Sequence, residues 1–207
     1  LSFEVSSNEC IGIIGKSGSG KTTLIDLLLG LLKPQKGSIF INNNIIKDIN
    51  LHLSKITAYL PQQALILESS IIDNIVLEND KKNIDYSKLE ESIENADLKS
   101  LISNLPEKYK SKLSDKGLRF SGGQNQRLAL ARIFYHAKDI VIMDEATSSL
   151  DKDTENVIVE NINKFKGKKT IIVITHKEST LKYVDKIFEI NDKKLKIIDK
   201  KDNNFYS

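Results

Sequence analysis

The sequence is poor in several residue types, and each scarcity excludes a class of protein. Its 207 residues include a single cysteine, Cys10, which excludes a domain held together by disulfides within the chain. The densest apolar run, Leu27 to Leu32, is bounded by Asp26 and Lys33 and is far shorter than the about 18 residues of a membrane-spanning helix. Proline and glycine are sparse, with three and ten residues, and no linker rich in them interrupts the chain.

The two signs of charge are nearly balanced. Lysine and arginine total 31 and aspartate and glutamate total 28, which leaves a net charge of +3. An excess this small gives no reason to expect a nucleic acid as partner. Arginine occurs only at Arg119, Arg127 and Arg132. The basic residues near the end of the chain are interpreted as a solvated face: Lys193, Lys194, Lys196, Lys200 and Lys201.

Apolar runs that favour strands alternate with segments of helical period. Strands are predicted at 10–14, 37–41, 56–60, 140–143 and 170–174, with a closing hairpin at 186–190 and 194–198. Helices are predicted at 21–32, 124–136 and 154–163, and residues 1–5 alternate like a half-buried strand. Buried strands separated by helices indicate an α/β fold with a mostly parallel sheet.

The middle of the chain has a different character. Residues 69–117 are polar and helical, without a clear strand. We therefore predict one domain over 1–207, in which a helical subdomain at 69–117 is inserted into a core formed by 1–68 and 118–207. The chain begins at Leu1, without a methionine or a signal-peptide pattern. We expect it to be a partial domain whose natural N-terminus lies upstream.

A glycine-rich motif follows the first predicted strand. Residues 15–22 match G-x-x-x-x-G-K-[ST] at every fixed position and open a helix. Backbone N–H groups of such a loop and the helix start attract phosphate. Lys21 can reach the β- and γ-phosphates, and the Thr22 hydroxyl can bind Mg²⁺. The alternative is a glycine-rich turn without a ligand. The motif consists of Gly15, Lys16, Ser17, Gly18, Ser19, Gly20, Lys21 and Thr22.

Two carboxylates, Asp144 and Glu145, end the apolar run that begins at Ile140. Ligands of parallel sheets bind at the carboxyl ends of the strands. If this strand neighbours the one before Gly15, both carboxylates face the phosphates. Asp144 would then hold Mg²⁺ through water, and Glu145 would accept a proton from an attacking water. The alternative is a solvated strand end.

A second glycine-rich turn, Ser121-Gly122-Gly123-Gln124, precedes a long amphipathic helix. Ser121 is a natural N-cap, and Gly122 and Gly123 allow a ligand to approach the backbone closely. Taken alone this pattern is weak, because any capped helix can carry it. Since one phosphate loop can hold a triphosphate, the second turn suggests a composite site between two copies of the domain.

The order of these motifs resembles the nucleotide-binding domain of ABC transporters over nearly the whole chain. The order runs from the phosphate loop through Gln62, 121–124 and 144–145 to His176. Residues 120–132 resemble the family signature, with Phe120 where leucine is usual. The resemblance implies a P-loop NTPase core with a mostly parallel sheet, an N-terminal antiparallel β part and an inserted helical subdomain. It also implies ATP and Mg²⁺ as ligands.

The resemblance assigns roles residue by residue. The phosphate loop, extended to Thr23, would hold the phosphates of one ATP, and Thr22, Gln62 and Asp144 would hold Mg²⁺. Glu145, His176 and Gln62 would be catalytic. Ser121, Gly122, Gly123 and Gln124 would bind the ATP held by a second ABC domain, paired head to tail. The 148–151 loop would cross that interface. The aromatic residue that stacks on adenine in this family is expected upstream of Leu1.

The resemblance also implies a membrane partner. Residues 63–75 resemble the exporter branch, in which this segment docks a coupling helix, and 113–117 lie where exporters carry a contact loop. We expect an exporter or lipid flippase type, with a transmembrane domain fused upstream or present as a separate subunit. The domain would act as a homodimer on the cytoplasmic face of the inner or plasma membrane. The alternatives are a soluble ABC-type ATPase of DNA repair or translation and a regulatory module without turnover.

Overall fold

The computed structural model describes residues 1–46, 49–77, 83–114, 117–191 and 194–198. Contacts divide the chain into two compact units. The sheet unit comprises Leu1–Tyr59, Lys138–Asp144 and Lys166–Ser207, and the helical unit comprises Leu60–Ala137 and Glu145–Phe165. The division predicted from the sequence, with 69–117 as a helical subdomain, stays a prediction.

A six-stranded sheet organises the sheet unit. Its strands are β1 (Cys10–Ile14), β4 (Thr57–Leu60), β5 (Ile140–Asp144), β6 (Thr170–Ile174), β7 (Lys186–Asn191) and β8 (Lys194–Ile198). They lie in the order β4-β5-β6-β1-β7-β8. The pairs β5–β6, β6–β1 and β1–β7 are parallel, and the pair β7–β8 is antiparallel. The predicted mostly parallel α/β fold is confirmed.

The strand order corrects one condition of the sequence analysis. The placement of both carboxylates at the phosphates was made conditional on the strand that ends in Asp144 lying next to the strand before Gly15. Instead β6 lies between them: Gly12 of β1 pairs with Val173 of β6, and Val173 pairs with Met143 of β5. Both strands read as continuous apolar runs, and such runs carry no information about which buried strand lies next to which.

Apolar strand residues form the core of the sheet unit. Ile11, Ile13, Ile174 and Phe188 have at most 1% of their surface exposed, and Ile25 of helix α1 (Lys21–Leu28) packs with them. Full burial of one such side chain stabilises the fold by about 1.5–3 kcal/mol. This rigid core therefore fixes the strand and the helix on either side of the loop at 15–20.

Several predicted elements are shorter than expected. Helix α1 ends at Leu28 rather than at residue 32, because Gly30 takes a φ of 74° and the N–H groups of Leu31 and Leu32 turn back to the carbonyl of Asp26. Residues 1–5 form no strand, although the ring of Phe3 meets that of Phe188 edge-on with centroids 5.4 Å apart. Alternation alone therefore gave a false strand at the start of the chain.

A small antiparallel sheet accounts for the predicted N-terminal β part. Strands β2 (Phe40–Ile41) and β3 (Asn44–Ile45) pair through a turn in which Asn42 and Asn43 both have positive φ. The predicted strand at 37–41 is thus reduced to two residues. Helix α2 (Ile49–Ile56), which the sequence analysis did not predict, follows.

Capped helices build the helical unit. They are α3 (Ile71–Val76), α4 (Tyr86–Asn95), α5 (Lys99–Ser103), α6 (Gly122–His136) and α7 (Lys152–Asn163), with a 3₁₀ turn at Lys108–Lys110. Four of them start at an N-cap whose side chain accepts a backbone N–H, namely Ser70, Asp85, Ser121 and Asp151. No strand longer than an isolated bridge occurs in the described part of 69–117.

The chain also contains the short helix α8 (Glu178–Leu181), which lies in the sheet unit between β6 and β7. No helix among the described residues combines the length and the apolar character needed to cross a lipid bilayer. Some residues of the sequence analysis lie outside the described ranges. They are Asp115 and Lys116 of the expected contact loop and Lys193, Lys200 and Lys201 of the basic tail.

Candidate functional site

The phosphate loop lies between β1 and α1 in the sheet unit. Gly20 is the N-cap of α1 with a φ of 105°, and no side chain caps the helix. The ammonium group of Lys21 donates to the main-chain carbonyls of Gly15 and Lys16, at 2.5 and 2.9 Å. An ammonium has three donors, so Lys21 can bridge the rim of the loop and still meet an anion.

The loop fits a phosphate group. A Cβ on Gly18 or on Gly20 would meet nothing within 4 Å, so both glycines border open space. A Cβ on Gly15 would overlap the carbonyl oxygen of Ile190, which explains why the first position needs glycine. The hydroxyl of Ser19 is buried and has no hydrogen-bond partner among the described residues. A phosphate oxygen bound by the loop would supply an acceptor for this hydroxyl. The side chains of Lys16, Ser17, Thr22 and Thr23 are exposed.

Asp144 and His176 lie at the carboxyl ends of adjacent strands of the sheet unit. Asp144 pairs with Ile174, the last residue of β6, and exposed His176 follows two residues later. The pKa of Tyr59 is raised above its usual value, first by burial and then by the negative charges of Asp144 and Asp26. Asp144 and Asp26 thus place negative charge near Tyr59, and a carboxylate at a strand end is a ligand of the kind that Mg²⁺ takes.

Gln62 and Glu145 meet directly in the helical unit. The Gln62 Nε2 group donates to the carboxylate Oε2 of Glu145 at 2.7 Å. Glu145 takes a φ of 49°, a left-handed conformation that is uncommon for residues with a Cβ. The structure thus brings together two of the three residues predicted to be catalytic, although they lie 83 positions apart in the sequence.

Ser121 and Gln124 close a complete capping box at the start of α6. The Gln124 N–H donates to Ser121 Oγ at 3.3 Å, and the Ser121 N–H donates to Gln124 Oε1 at 2.9 Å. This confirms Ser121 as the N-cap. A hollow of about 450 Å³ opens at this helix start, with a cation, Arg127, and an anion, Asp151, in its lining.

Two polar side chains, Arg132 and Asn74, hold the segment after Gln62 through contacts that were not predicted from the sequence. Arg132 donates from Nε to the Asn74 carbonyl at 2.9 Å and from Nη2 to the Leu65 carbonyl at 3.1 Å, and burial lowers its pKa. The fully buried Asn74 amide in turn bonds both main-chain groups of Leu67. Arginine in a lysine-rich chain was a signal for the first contact; nothing in the sequence pointed to Asn74.

The described residues contain no group of three or more His, Cys, Asp or Glu side chains that could hold a metal. Such a group is not needed for Mg²⁺ bound with phosphates, because this ion keeps several waters and takes one or two protein ligands. A hydroxyl at Thr22 and a carboxylate at Asp144 are donors of the kind it prefers.

Comparison with known proteins identifies the family. A sequence profile of the ABC transporter family matches residues 1–148. The chain belongs to the ABC transporter family. The resemblance found in the sequence is thus confirmed, and the ATP-binding domains of this family are generally ATPases.

Relatives of this ABC domain include plant, human and bacterial proteins. The chain is 38% identical over 197 residues to ABC transporter B family member 29, chloroplastic, of Arabidopsis thaliana, which covers 95% of the chain and 31% of that protein. It is 33% identical over 197 residues to ATP-binding cassette sub-family B member 5 of Homo sapiens, and this match covers 95% of the chain and 16% of that protein. It is 35% identical over 192 residues to a Rickettsia bellii protein named "Putative export ATP-binding/permease protein", and this match covers 92% of the chain and 33% of that protein.

A solved structure supports the same ABC fold. The chain superposes on the structure of a bacterial Atm1-family ABC exporter with ATP bound, with a TM-score of 0.88 and 29% sequence identity. The match covers 98% of this chain and 36% of that one. The chain thus spans about a third or less of each of these longer proteins.

Proposed function

We propose that this chain is the ATP-hydrolysing domain of an exporter or flippase, and that it drives transport across a membrane. The observation that carries the proposal is the phosphate loop. Its helix has an uncapped start, its lysine spans the rim, and its glycines border open space. The exporter names of the relatives favour this role over a soluble ATPase of DNA repair or translation.

The residues of the loop would bind the phosphates of ATP. The backbone N–H groups of 15–23 and the positive end of α1 attract the oxygens, and Lys21 neutralises their charge. Mg²⁺, when bound, supplies further positive charge at the phosphates, and Thr22, Asp144 and Gln62 are the residues that would hold it. These groups stabilise charge where it develops during phosphoryl transfer.

Glu145 would act as the general base. Its carboxylate accepts a proton from the attacking water, and the amide of Gln62, which already donates to it, keeps the carboxylate oriented. His176 would contact the γ-phosphate. Since ionised carboxylates accept protons, the base function requires Glu145 to be charged in the resting domain.

A second copy of the chain would complete each site. Ser121, Gly122, Gly123 and Gln124 form a polar helix start beside a hollow of about 450 Å³, which suits the phosphate end of a nucleotide held by a partner. One chain carries both kinds of half-site, so a head-to-tail homodimer would contain two complete ones.

The membrane partner would dock near the segment after Gln62. Leu65 and Leu67 have 70% and 41% of their surfaces exposed, yet hydrogen bonds with the side chains of Arg132 and Asn74 hold their backbone. A rigid apolar segment of this kind is suited to receive a helix from a transmembrane domain, whether fused or separate. The domain would then sit on the cytoplasmic face of the membrane.

The test is a Glu145→Gln variant of the native protein, compared with Glu160→Gln on the exposed face of α7. We expect Glu145→Gln to bind ATP with normal affinity and to lose at least 99% of hydrolysis, roughly the 100-fold of a lost general base. Glu160→Gln should leave both unchanged. Unimpaired hydrolysis in Glu145→Gln would reject this base, and failure of the unsubstituted protein to hydrolyse ATP would reject the function.

A further inference from the structure

A buried amide joins Glu145 to the 148–151 loop. Gln126, on α6, has only 3% of its surface exposed. Its Nε2 group donates to the main-chain carbonyl of Glu145 at 2.9 Å, and its Oε1 accepts from the N–H of Ser149 at 3.1 Å. Since a carbonyl only accepts and a peptide N–H only donates, a single orientation of the amide satisfies both partners. The Gln126 side chain therefore fixes the position of the Glu145 carbonyl relative to the Ser149 N–H group.

The backbone of Glu145 depends on such contacts. Its left-handed φ of 49° is costly for a residue with a Cβ, and such conformations persist where the surroundings over-determine them. The Glu145 carbonyl accepts from Gln126 and also from the N–H of Ser148 at 3.0 Å. The direction in which the carboxylate projects follows from this backbone conformation.

The same face of α6 touches the loop at a second point. A Cβ on Gly123 would lie 3.0 Å from the Ser149 carbonyl oxygen, so glycine is what permits the close approach. Gly123 and Gln126 are three residues apart and lie on one helix face. The helix start, the 148–151 loop and the backbone of Glu145 are thus held as one assembly within the helical unit.

We infer that Gln126 is a positioning residue for hydrolysis, which fixes the carboxylate of Glu145 and ties its placement to the 148–151 loop. This inference rests on the proposed function, in which Glu145 is the base. Gln126 acts through Glu145 and has no role in holding the nucleotide. A misplacement of about 1 Å in a catalytic group can slow a reaction by about 100-fold, so loss of this amide is expected to lower kcat and leave KM unchanged.

The test compares Gln126→Met and Gln126→Glu with Asn161→Leu in the native protein together with its membrane part. Methionine keeps the length and loses both hydrogen bonds, whereas glutamate keeps an acceptor for Ser149 and loses the amide donor to Glu145. Asn161 is a matched control, because its amide is also buried in the helical unit, where it donates to the Asn95 carbonyl at 2.7 Å.

Both Gln126 variants should lower kcat for ATP hydrolysis at least tenfold, with KM changed less than twofold. Asn161→Leu should lose about as much thermal stability as the Gln126 variants, and its kcat should stay unchanged. Values of kcat within twofold of normal in both Gln126 variants would overturn the inference and leave the proposed function intact.

Amide hydrogen exchange tests the contact between Gln126 and Ser149 without relying on ATP hydrolysis. It therefore still applies if the unsubstituted protein hydrolyses no ATP, a result that would reject the proposed function. Loss of the acceptor should make the Ser149 N–H exchange at least tenfold faster in Gln126→Met than in the unsubstituted protein or in Asn161→Leu. Unchanged protection of that N–H would overturn the positioning role on structural grounds alone.

Discussion

Two helices of this chain begin at glycine-rich turns, and the two helix starts are built in opposite ways. In the sheet unit, α1 begins after Gly20 in a left-handed conformation and has no side-chain cap. In the helical unit, α6 begins after Ser121, and a reciprocal capping box with Gln124 already satisfies backbone donors. The cap therefore decides which N–H groups each helix start leaves for a ligand: at α6 those of Ser121 and Gln124 are already bonded, whereas no side chain bonds one at α1.

The two units also use their cations differently. Lys21 and Arg132 each donate to two main-chain carbonyls. Lys21 bridges the phosphate loop and carries a compact charge on a flexible stem, whereas Arg132 is partly buried and its planar group fits both carbonyls at once. One contact can be exchanged for a ligand, and the other is structural.

The largest expected effect separates these roles in the sheet unit. Lys21→Ala should weaken ATP binding by at least about 100-fold, because a charged donor to the β- and γ-phosphates is lost. The free energy of unfolding should change little. Isothermal titration against ATP checks this, with Lys33→Ala as a control for the loss of an exposed lysine near the same helix. Normal affinity in Lys21→Ala would contradict the assigned role.

The reverse pattern is expected in the helical unit. Arg132→Met should lower the free energy of unfolding by about 2 kcal/mol, because the carbonyls of Asn74 and Leu65 lose their donor. The Asn74 carbonyl lies near the C-terminal end of α3, where helix carbonyls lack partners within the helix.

Denaturant unfolding measures the Arg132 effect, and ATP affinity should stay within a factor of two. The free energy of unfolding of Arg132→Lys should lie between those of Arg132→Met and the unsubstituted protein, since an ammonium keeps the charge without the planar geometry. Equal stability of all three proteins would show that the hydrogen bonds of Arg132 to the Asn74 and Leu65 carbonyls do not stabilise the fold.

The smallest expected effects have opposite signs at the two helix starts. Gly20→Ala should lower the free energy of unfolding by about 1–2 kcal/mol, because an L-residue is strained at a φ of 105°. Gly122→Ala should raise it by about 0.4–1 kcal/mol, since Gly122 has no positive φ and its Cβ would meet nothing within 4 Å. Thermal unfolding of both variants measures this difference, and the same sign in both would break the comparison.

Features that local sequence encodes were predicted well. The strands around Ile11 and Ile172, the phosphate loop with its following helix, and the cap at Ser121 all follow from short patterns whose physics is contained within a few residues. The antiparallel closing hairpin, formed by 186–191 and 194–198, belongs to the same class.

Features that depend on distant partners were not predicted. The position of β6 between β5 and β1 is a choice among equally apolar strands, and no residue pattern records it. Gln126 and Asn74 act through contacts to backbone groups, which any residue provides, so their partners leave no trace in the sequence. Arg132 was noticed as a residue type, but its two acceptors became visible only in the structure.

The edge strand β8 affects how readily two copies of the domain aggregate through their sheets. It ends the order of the described strands, so one side of its backbone presents hydrogen-bonding groups that another chain could pair with. Lys194 and Lys196 are exposed on this short strand, around the inward-packed Leu195. Like charges would face each other if two such edges met, so these lysines discourage sheet-to-sheet aggregation of the domain.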